Sequence, residues 1–545
     1  VIERELYHFK RCSEYDLFVT SKENLSIEGH YPKFPRWKSQ KLVDPEAYQY
    51  LRLHKPELIE LYKIDSFLDL GSYEGPKLNT HTCKLPYLPA KLNAEALYKG
   101  VQKFAKDQPT NYDRVAYDAA VQWMWEEFHP HMSMSKPCSF EEACAYLDLT
   151  KSPGAAWRAS FETKRAMLQS MRGKSILCHY WALCGEDPFT YWGGLLKDEL
   201  RPAEKVFANK TRVFTSSSFE HGVALTAWCK DMNEKFYASH LQTASTVGTS
   251  KFGLGFHHFA QKLKQHPNCF CLDGENYDGS IFVEMMRDIR DFRFGCLASE
   301  YQTRSNKEEF DGLYGEVIDS HIILQDGNVV CKHTGNPSGS VNTIVDNTLG
   351  LYVFLAYCWI RSTGSFDKEK FDENVALLLC GDDNTFSVSD TYVSKFNAEV
   401  VIKFAAELGL VMTTDCLKPR KWMQCDYLSH NFKKVGRYVV GILPFDKLFC
   451  SWLCGGESLE EDILISRSCM LRIEGWFTPG WREFIEPYLE HLKLRLPPNN
   501  KKRKDAWQSY LTSREIEILY FGEYEGHVPP CPYEAEEFLK PVGLL

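Results

Sequence analysis

Leu377-Leu-Leu-Cys-Gly-Asp-Asp-Asn-Thr-Phe-Ser-Val388 decides the reading of this chain. An apolar run enters, Gly381 permits a tight bend, and Thr-Phe-Ser-Val alternates on the way out, which is the pattern of a β-hairpin. The tip then carries two adjacent carboxylates, Asp382 and Asp383. Neighbouring negative charges repel, and a fold tolerates them best where a divalent cation binds. Taken alone, the tripeptide is also compatible with a solvated Gly-Asp-Asp turn.

A second acidic site lies upstream in Cys269-Phe-Cys-Leu-Asp-Gly-Glu-Asn-Tyr-Asp-Gly-Ser280. A short apolar strand is expected to end at Asp273, with Asp278 opening a turn into a helical segment, Ile281 to Ile289. Asp273 would then stand beside Asp382 and Asp383, and three converging carboxylates suit a two-metal site for phosphoryl chemistry. Between these strands, Lys332-His-Thr-Gly-Asn-Pro-Ser-Gly-Ser-Val-Asn-Thr-Ile-Val-Asp-Asn-Thr-Leu349 reads as a loop of small residues running into a helix. Gly335, Ser338 and Gly339 allow close backbone approach, and Thr343 and Asn347 share one helical face on which a sugar could be hydrogen-bonded. Further upstream, Lys197, Arg201, Lys205, Lys210 and Arg212 are spaced irregularly around Pro202, which predicts an extended basic loop able to hold a triphosphate.

In this order the motifs resemble the RNA-dependent RNA polymerases of positive-strand RNA viruses, on the picornavirus-like side, with an astrovirus or a relative as the source. Lys197-Asp-Glu-Leu-Arg201 with Lys210-Thr-Arg212 resembles that family's motif F, Asp273 with Asp278 motif A, Ser338-Gly339 with Thr343 and Asn347 motif B, and Gly381-Asp382-Asp383 motif C. Ser152-Pro-Gly154 resembles motif G at the template entrance. Gly409 to Thr413 with Lys418 resembles motif D, and Tyr427-Leu-Ser-His-Asn-Phe-Lys433 resembles the motif E primer grip. Two departures are visible: Cys380 stands where the family usually has an aromatic residue, and Lys421 competes with Lys418 as the general acid.

The resemblance implies an α+β right hand of fingers, palm and thumb, the palm an antiparallel sheet backed by helices. Its expected limits are an N-terminal extension and fingers over 1–260, palm over 261–289 and 331–438, a return to the fingers over 290–330, and a thumb over 439–545. It implies RNA-directed RNA synthesis: Asp273, Asp382 and Asp383 as metal ligands and catalytic groups with Lys418, and Mg²⁺, or Mn²⁺ in its place, as the ion. Lys197, Arg201, Lys205, Lys210 and Arg212 would bind the NTP with Asp278, Ser338, Gly339, Thr343 and Asn347. Ser152, Gly154 and Lys433 would meet template and primer. Asp278 and Asn347 would check for the 2′-hydroxyl that separates RNA precursors from DNA precursors. The implied partners are an RNA template and primer, NTPs and other viral replication proteins, a protein primer among them. The implied location is the host cytoplasm, in a membrane-associated replication complex reached through those partners.

Composition agrees. The chain has 545 residues, 25% charged and 44% apolar, as in ordinary globular proteins, and its length calls for two or three subdomains. A net charge of −9 argues against a uniformly basic nucleic-acid coat but not against a segregated basic channel. The 19 cysteines are scattered without a CxxC pair, so reduced thiols are expected and no zinc site. Cys450 with Cys454, His129 with His131, and His257-His258 are read as core or surface residues. The longest apolar run, Thr348 to Ile360, falls short of the roughly 18 residues a membrane span needs. It reads as the core part of the helix that follows Ser338-Gly339, and no direct membrane span is expected. Starting at Val1 fits a processed product or an excised piece. Leu459 to Arg472 is an amphipathic thumb helix, and Pro497 to Lys504 is the clearest loop.

The rivals are a reverse transcriptase-like polymerase, which would share the paired aspartates, and a non-catalytic RNA-binding protein. A P-loop ATPase is poorly supported, because Leu168 stands where the Walker pattern before Gly173-Lys-Ser175 needs its first Gly. A serine hydrolase is no better, because Ser338 lacks the Gly-x-Ser-x-Gly frame.

Overall fold

The computed structural model describes residues 25–30, 43–64, 83–184, 189–456 and 458–522. Its strands are β1 (Leu25–His30), β2 (Tyr87–Pro89), β3 (Tyr191–Leu196), β4 (Leu200–Pro202), β5 (Val213–Ser216), β6 (Asn268–Glu275), β7 (Ser320–Leu324), β8 (Asn328–Lys332), β9 (Val375–Cys380), β10 (Asp383–Val388), β11 (Val411–Thr413), β12 (Asp426–Tyr427), β13 (His430–Val435) and β14 (Tyr438–Ile442). They form a five-stranded sheet in the order β1-β8-β7-β3-β5, a four-stranded sheet β11-β6-β10-β9, a three-stranded sheet β12-β13-β14, and the pair β2-β4.

The four-stranded sheet is antiparallel throughout and carries the hairpin read from the sequence. Asp383 pairs with Cys380, so Gly381 and Asp382 are the two loop residues, and the φ of +64° at Gly381 is what a tight hairpin loop asks of its first position. β6 runs two residues past Asp273, to Glu275, because β11 pairs there in the register Thr413↔Asp273. A strand expected to stop at the aspartate is therefore carried on by an edge partner.

Behind this sheet lies the Thr343–Thr363 helix, packed against the Arg114–Met132 and Ala398–Ala405 helices and β9. Gly364 ends it in a left-handed conformation, its N–H reaching the carbonyl of Ile360. At 21 residues it is long and apolar enough to cross a bilayer, more than the thirteen-residue run foretold, yet 94% of its most apolar window is buried inside the protein. Its first turn is fixed by a buried ring of polar groups. Arg293 Nε donates to Asp346 Oδ1 (2.6 Å) and Nη1 to Asn233 Oδ1 (2.8 Å); Asn233 donates to Asn342 (2.9 Å), Asn342 to the Tyr314 hydroxyl (2.9 Å), and Tyr314 to Asp346 Oδ2 (3.0 Å). Removing either member of this buried pair would strand the other's charge in the core, so the pair helps to fix where the helix starts.

Residues 43–64 and 83–88 share an apolar core with the C-terminal helices through Tyr50, Leu51, Trp452, Phe484 and Tyr488. Asp44 caps the Pro45–His54 helix and also accepts from Arg467 Nη2 (2.9 Å). The amphipathic segment near 459–472 is the Glu461–Glu474 helix. The segment read as a loop at 497–504 is half helix, since Asn500 accepts from the Arg503 N–H and caps the Lys501–Trp507 helix. All 17 described cysteines are free.

Candidate active site

The acidic tip stands beside β6, which pairs with β10 from Asn384↔Leu272. The side chains of Asp273 and Asp382 reach solvent, and Asp383 is half-buried. The carboxylates feel one another. Although its side chain reaches solvent, desolvation by the protein atoms packed around the tip, with the negative charges of Asp278 and Asp273, pushes the Asp382 carboxyl up, opposed by Arg212. Burial and then the Asp382 charge push Asp383 up to about 7. Asp383 is also oriented, because the Leu428 N–H donates to its Oδ2 at 2.8 Å. Leu428 and Ser429 form the β12-β13 turn with φ of +52° and +63°, a left-handed pair costly for residues with a Cβ. Cys380, in the place of the family's aromatic, is half-buried under the tip, its thiol pushed up to about 12 by burial and by Asp383 and Asp382.

Among the described residues, no group of three or more His, Cys, Asp or Glu side chains is gathered tightly enough to hold a metal ion as it stands. The donor set nonetheless suits a hard divalent cation: oxygen donors only, on adjacent strands, each raising the proton affinity of the next.

Asp278 lies in the short Tyr277–Ser280 helix between β6 and the Val283–Gly295 helix. Asn347 Nδ2 donates to its Oδ1 at 3.0 Å, and Lys103 Nζ donates to its Oδ2 at 3.3 Å. Asn347 is itself held, because Asn336 Nδ2 donates to its Oδ1 at 2.9 Å. The backbone is tied as well, with the Asn336 N–H on the Asp278 carbonyl (2.8 Å) and the Tyr277 hydroxyl on the Asn347 carbonyl (2.7 Å). Thr343 stands one turn before Asn347, at the start of the same helix. Its hydroxyl turns back to the carbonyl of Pro337 (2.7 Å), satisfying the loop that precedes the helix. Ser338 Oγ accepts from the Thr215 N–H at 3.0 Å. Gly339 sits against the same strand so closely that a Cβ would stand 1.9 Å from the Thr215 carbonyl oxygen.

The basic segment departs from the expected extended loop. It contains β4 and a five-residue helix, Ala203–Phe207, with Pro202 as its N-cap. Proline ends the strand and presets the helix entry, where a missing N–H costs nothing. Arg212 follows, immediately before β5, and is close enough to Asp382 and Asp278 to interact with both charges. Glu199 holds it with two hydrogen bonds and also pairs with Lys197 at 3.3 Å. Burial works against the Glu199 carboxylate, but these two cations keep its carboxyl below the ordinary range. Arg201 donates to the Lys210 carbonyl at 2.6 Å and lies within reach of the Asp273 charge. Lys205 is half-buried on the short helix and Lys210 is exposed.

The remaining expected residues lie farther out. Ser152 is exposed and accepts from the Gly154 N–H (3.3 Å), while Gly154, at φ +115°, packs on Ser218. Lys418 and Lys421 are both exposed in the segment after β11. Lys433 Nζ donates to the Phe477 carbonyl at 2.7 Å, which places it at the joint with the C-terminal helices. His129 bonds the Gly295 carbonyl, and His257 is buried, its imidazole pushed down to about 4. Sequence reasoning missed Glu199, although it sits inside the quoted basic motif, and missed Lys103 and the Leu428 N–H, for which the sequence carries no signal.

Against this geometry, residues 80–450 match the family model described as viral RNA-dependent RNA polymerase. The chain belongs to that family. Among its relatives, it is 35% identical over 228 residues to genome polyprotein 1 of Barley mild mosaic virus (strain Na1), covering 41% of this chain, and 26% identical over 446 residues to the genome polyprotein of Ryegrass mosaic virus (isolate Denmark/Danish), covering 80%. The chain spans 10% and 14% of the lengths of these two relatives. Among solved structures, it resembles the Sicinivirus 3Dpol RNA dependent RNA polymerase with a TM-score of 0.67 at 16% identity, covering 90% of this chain and 100% of that one. The α+β right-hand fold expected from the sequence is therefore the fold this polymerase-family chain adopts.

Proposed function

We propose that the chain is an RNA-directed RNA polymerase that copies a viral RNA genome, with NTPs as substrates and an RNA 3′-hydroxyl as the acceptor. The observation that carries this reading is the Asn347–Asp278 hydrogen bond beside the Asp382 tip and Arg212. Asn347 Oδ1 is taken by Asn336, so its amide can only donate toward a ligand, while Asp278 can only accept. One hydroxyl, donor and acceptor at once, matches that pair, and a ribose 2′-hydroxyl is such a group.

Polymerases of this family use divalent metal ions, and here Asp273, Asp382 and Asp383 would hold them; Mg²⁺, replaceable by Mn²⁺, would neutralise the charge developing on the α-phosphate as the 3′-hydroxyl attacks and pyrophosphate leaves. Arg212 and Lys197, steadied by Glu199, would meet the triphosphate with Arg201, Lys205 and Lys210, the planar guanidinium fork suiting phosphate oxygens. Ser338 and Gly339 would hold the helix start against β5 while the base pair forms. Lys418, with Lys421 as the alternative, would protonate the leaving group. Ser152 and Gly154 would border the template path, with Lys433 under the primer. Residues 1–260 and 290–330 would form the N-terminal extension and fingers, 261–289 and 331–438 the palm, and 439–545 the thumb. RNA, NTPs and other viral replication proteins, a protein primer included, are the partners this reading asks for, in a membrane-associated complex of the host cytoplasm.

The test is single-nucleotide extension of an RNA primer on an RNA template with Mg²⁺. Asp382→Asn and Asp273→Ala are expected to lose activity by orders of magnitude while keeping the melting temperature. Activity within tenfold of wild type in both variants, or a wild type that prefers deoxynucleotides, would overturn the proposal.

A further inference from the structure

Asp278 has a second fixed partner, from a stretch upstream of every motif read in the sequence. The turn Gln102–Ala105 brings Lys103 under the Tyr277–Ser280 helix, with its side chain only 11% exposed. Its Nζ donates to Asp278 Oδ2 at 3.3 Å and to the carbonyl of Val213, the residue after Arg212, at 2.9 Å. The seat is close-fitting. A Cβ on Gly279 would stand 2.0 Å from the Lys103 carbonyl oxygen, and one on Gly335 would stand 2.9 Å from Phe104 and 2.7 Å from the Asp278 carbonyl oxygen. Beyond the turn, Gln108 donates to Thr334 (2.9 Å) and accepts from the Val283 N–H (2.9 Å). Residues 102–108 thus brace the Asp278 turn and the loop before Asn347 together.

We propose that Lys103 is a positioning residue for sugar selection: by holding Oδ2 of Asp278 it leaves Oδ1, already aligned by Asn347, aimed at the 2′-hydroxyl, and through Val213 it ties that alignment to the start of β5, which Arg212 immediately precedes. The inference rests on the polymerase reading. A carboxylate held by two donors on opposite oxygens cannot rotate about its χ2 without breaking one of them. With Lys103 gone, Asp278 keeps one tether and the acceptor geometry loosens. The ribonucleotide, which uses that acceptor, loses more than the deoxynucleotide, which does not.

The experiment compares kcat/KM for ATP and dATP in primer extension by wild type, Lys103→Met, which keeps the aliphatic stem, and Lys103→Gln, which restores one donor. Melting temperatures are recorded for all three. The ATP/dATP ratio is expected to fall about threefold to tenfold in Lys103→Met, chiefly through ATP, as for a lost hydrogen bond of about 1 kcal/mol, and to recover in part in Lys103→Gln. An equal loss for both nucleotides, or an unchanged ratio in both variants, makes Lys103 a structural strut and overturns the inference alone. A wild type that incorporates neither nucleotide overturns the polymerase reading and this inference with it.

Discussion

Replacing Gly339 with alanine tests whether the helix that carries Asn347 is placed by its contact with β5. The added Cβ would stand 1.9 Å from the Thr215 carbonyl oxygen, 2.7 Å from Ser216 Cα and 2.8 Å from the Thr215 carbonyl carbon. All three are backbone atoms, and β5 is fixed by its pairing with β3 from Gly193↔Ser216 to Leu196↔Val213. The loop must therefore retreat by on the order of 1 Å, which overpacked backbone resists at a cost of about 1–3 kcal/mol. That retreat breaks the Thr215–Ser338 hydrogen bond and carries the first turn of the Thr343–Thr363 helix with it. A shift of about 1 Å between reacting groups costs on the order of 100-fold in rate. Gly339→Ala is thus expected to lower kcat/KM in single-nucleotide extension about 100-fold and the unfolding free energy by about 1–3 kcal/mol. Gly315→Ala is the control: it lies inside the Arg304–Ile318 helix with open space at its Cβ position, and it should stabilise by about 0.5–1 kcal/mol without changing the rate. Gly339→Ala activity within threefold of wild type would refute the steric reasoning.

Asn347→Ala should narrow the ratio of kcat/KM for ribonucleotide over deoxynucleotide by about tenfold to a hundredfold and, by stranding the buried Asn336 amide, lower stability by about 1–3 kcal/mol; an unchanged ratio would make Asn347 a packing residue. Glu199→Gln should raise the KM for NTP through Arg212 and Lys197 while RNA affinity changes little, and a changed salt slope of RNA binding with constant nucleotide kinetics would move this clamp to the template. The Asp383 carboxyl is raised to about 7, so its proton binds more tightly in the folded chain than in the unfolded one. Metal-free stability should therefore fall as pH rises from about 4 to about 7, and Mg²⁺ should raise the melting temperature more at pH 8 than at pH 6, which thermal denaturation at the two pH values checks.

The acidic hairpin was legible because its cues are local: Gly381, strict alternation, and two carboxylates at the bend. The meeting of Asp278 with Asn347 was legible only through the order of motifs, since 69 residues separate them. Lys103 was not legible, because it meets Asp278 across 175 residues and in sequence reads as one more surface lysine. Glu199 was overlooked for a different reason. A basic run draws attention to its cations, whereas what holds Arg212 and Lys197 in place is the carboxylate among them. The β6 overrun past Asp273 came from an edge partner, β11, whose three residues are too short to announce themselves. The docking of residues 43–64 on the C-terminal helices rests on ordinary apolar residues that could have packed anywhere.

The pairing of β1 with β8 sets a clock on the birth of the molecule. Leu25 finds its partner only at Lys332, so the first described strand of the chain waits for roughly 300 residues to follow it. At about 5–20 residues per second of synthesis, that is on the order of 15–60 s during which its backbone donors and acceptors have no native edge to join. β8 in turn pairs with β7, which lies parallel to β3, so β1 closes a sheet whose other members must already be aligned. β1 should therefore be among the last of the described strands to gain protection in pulsed hydrogen exchange, although it precedes them all in the chain.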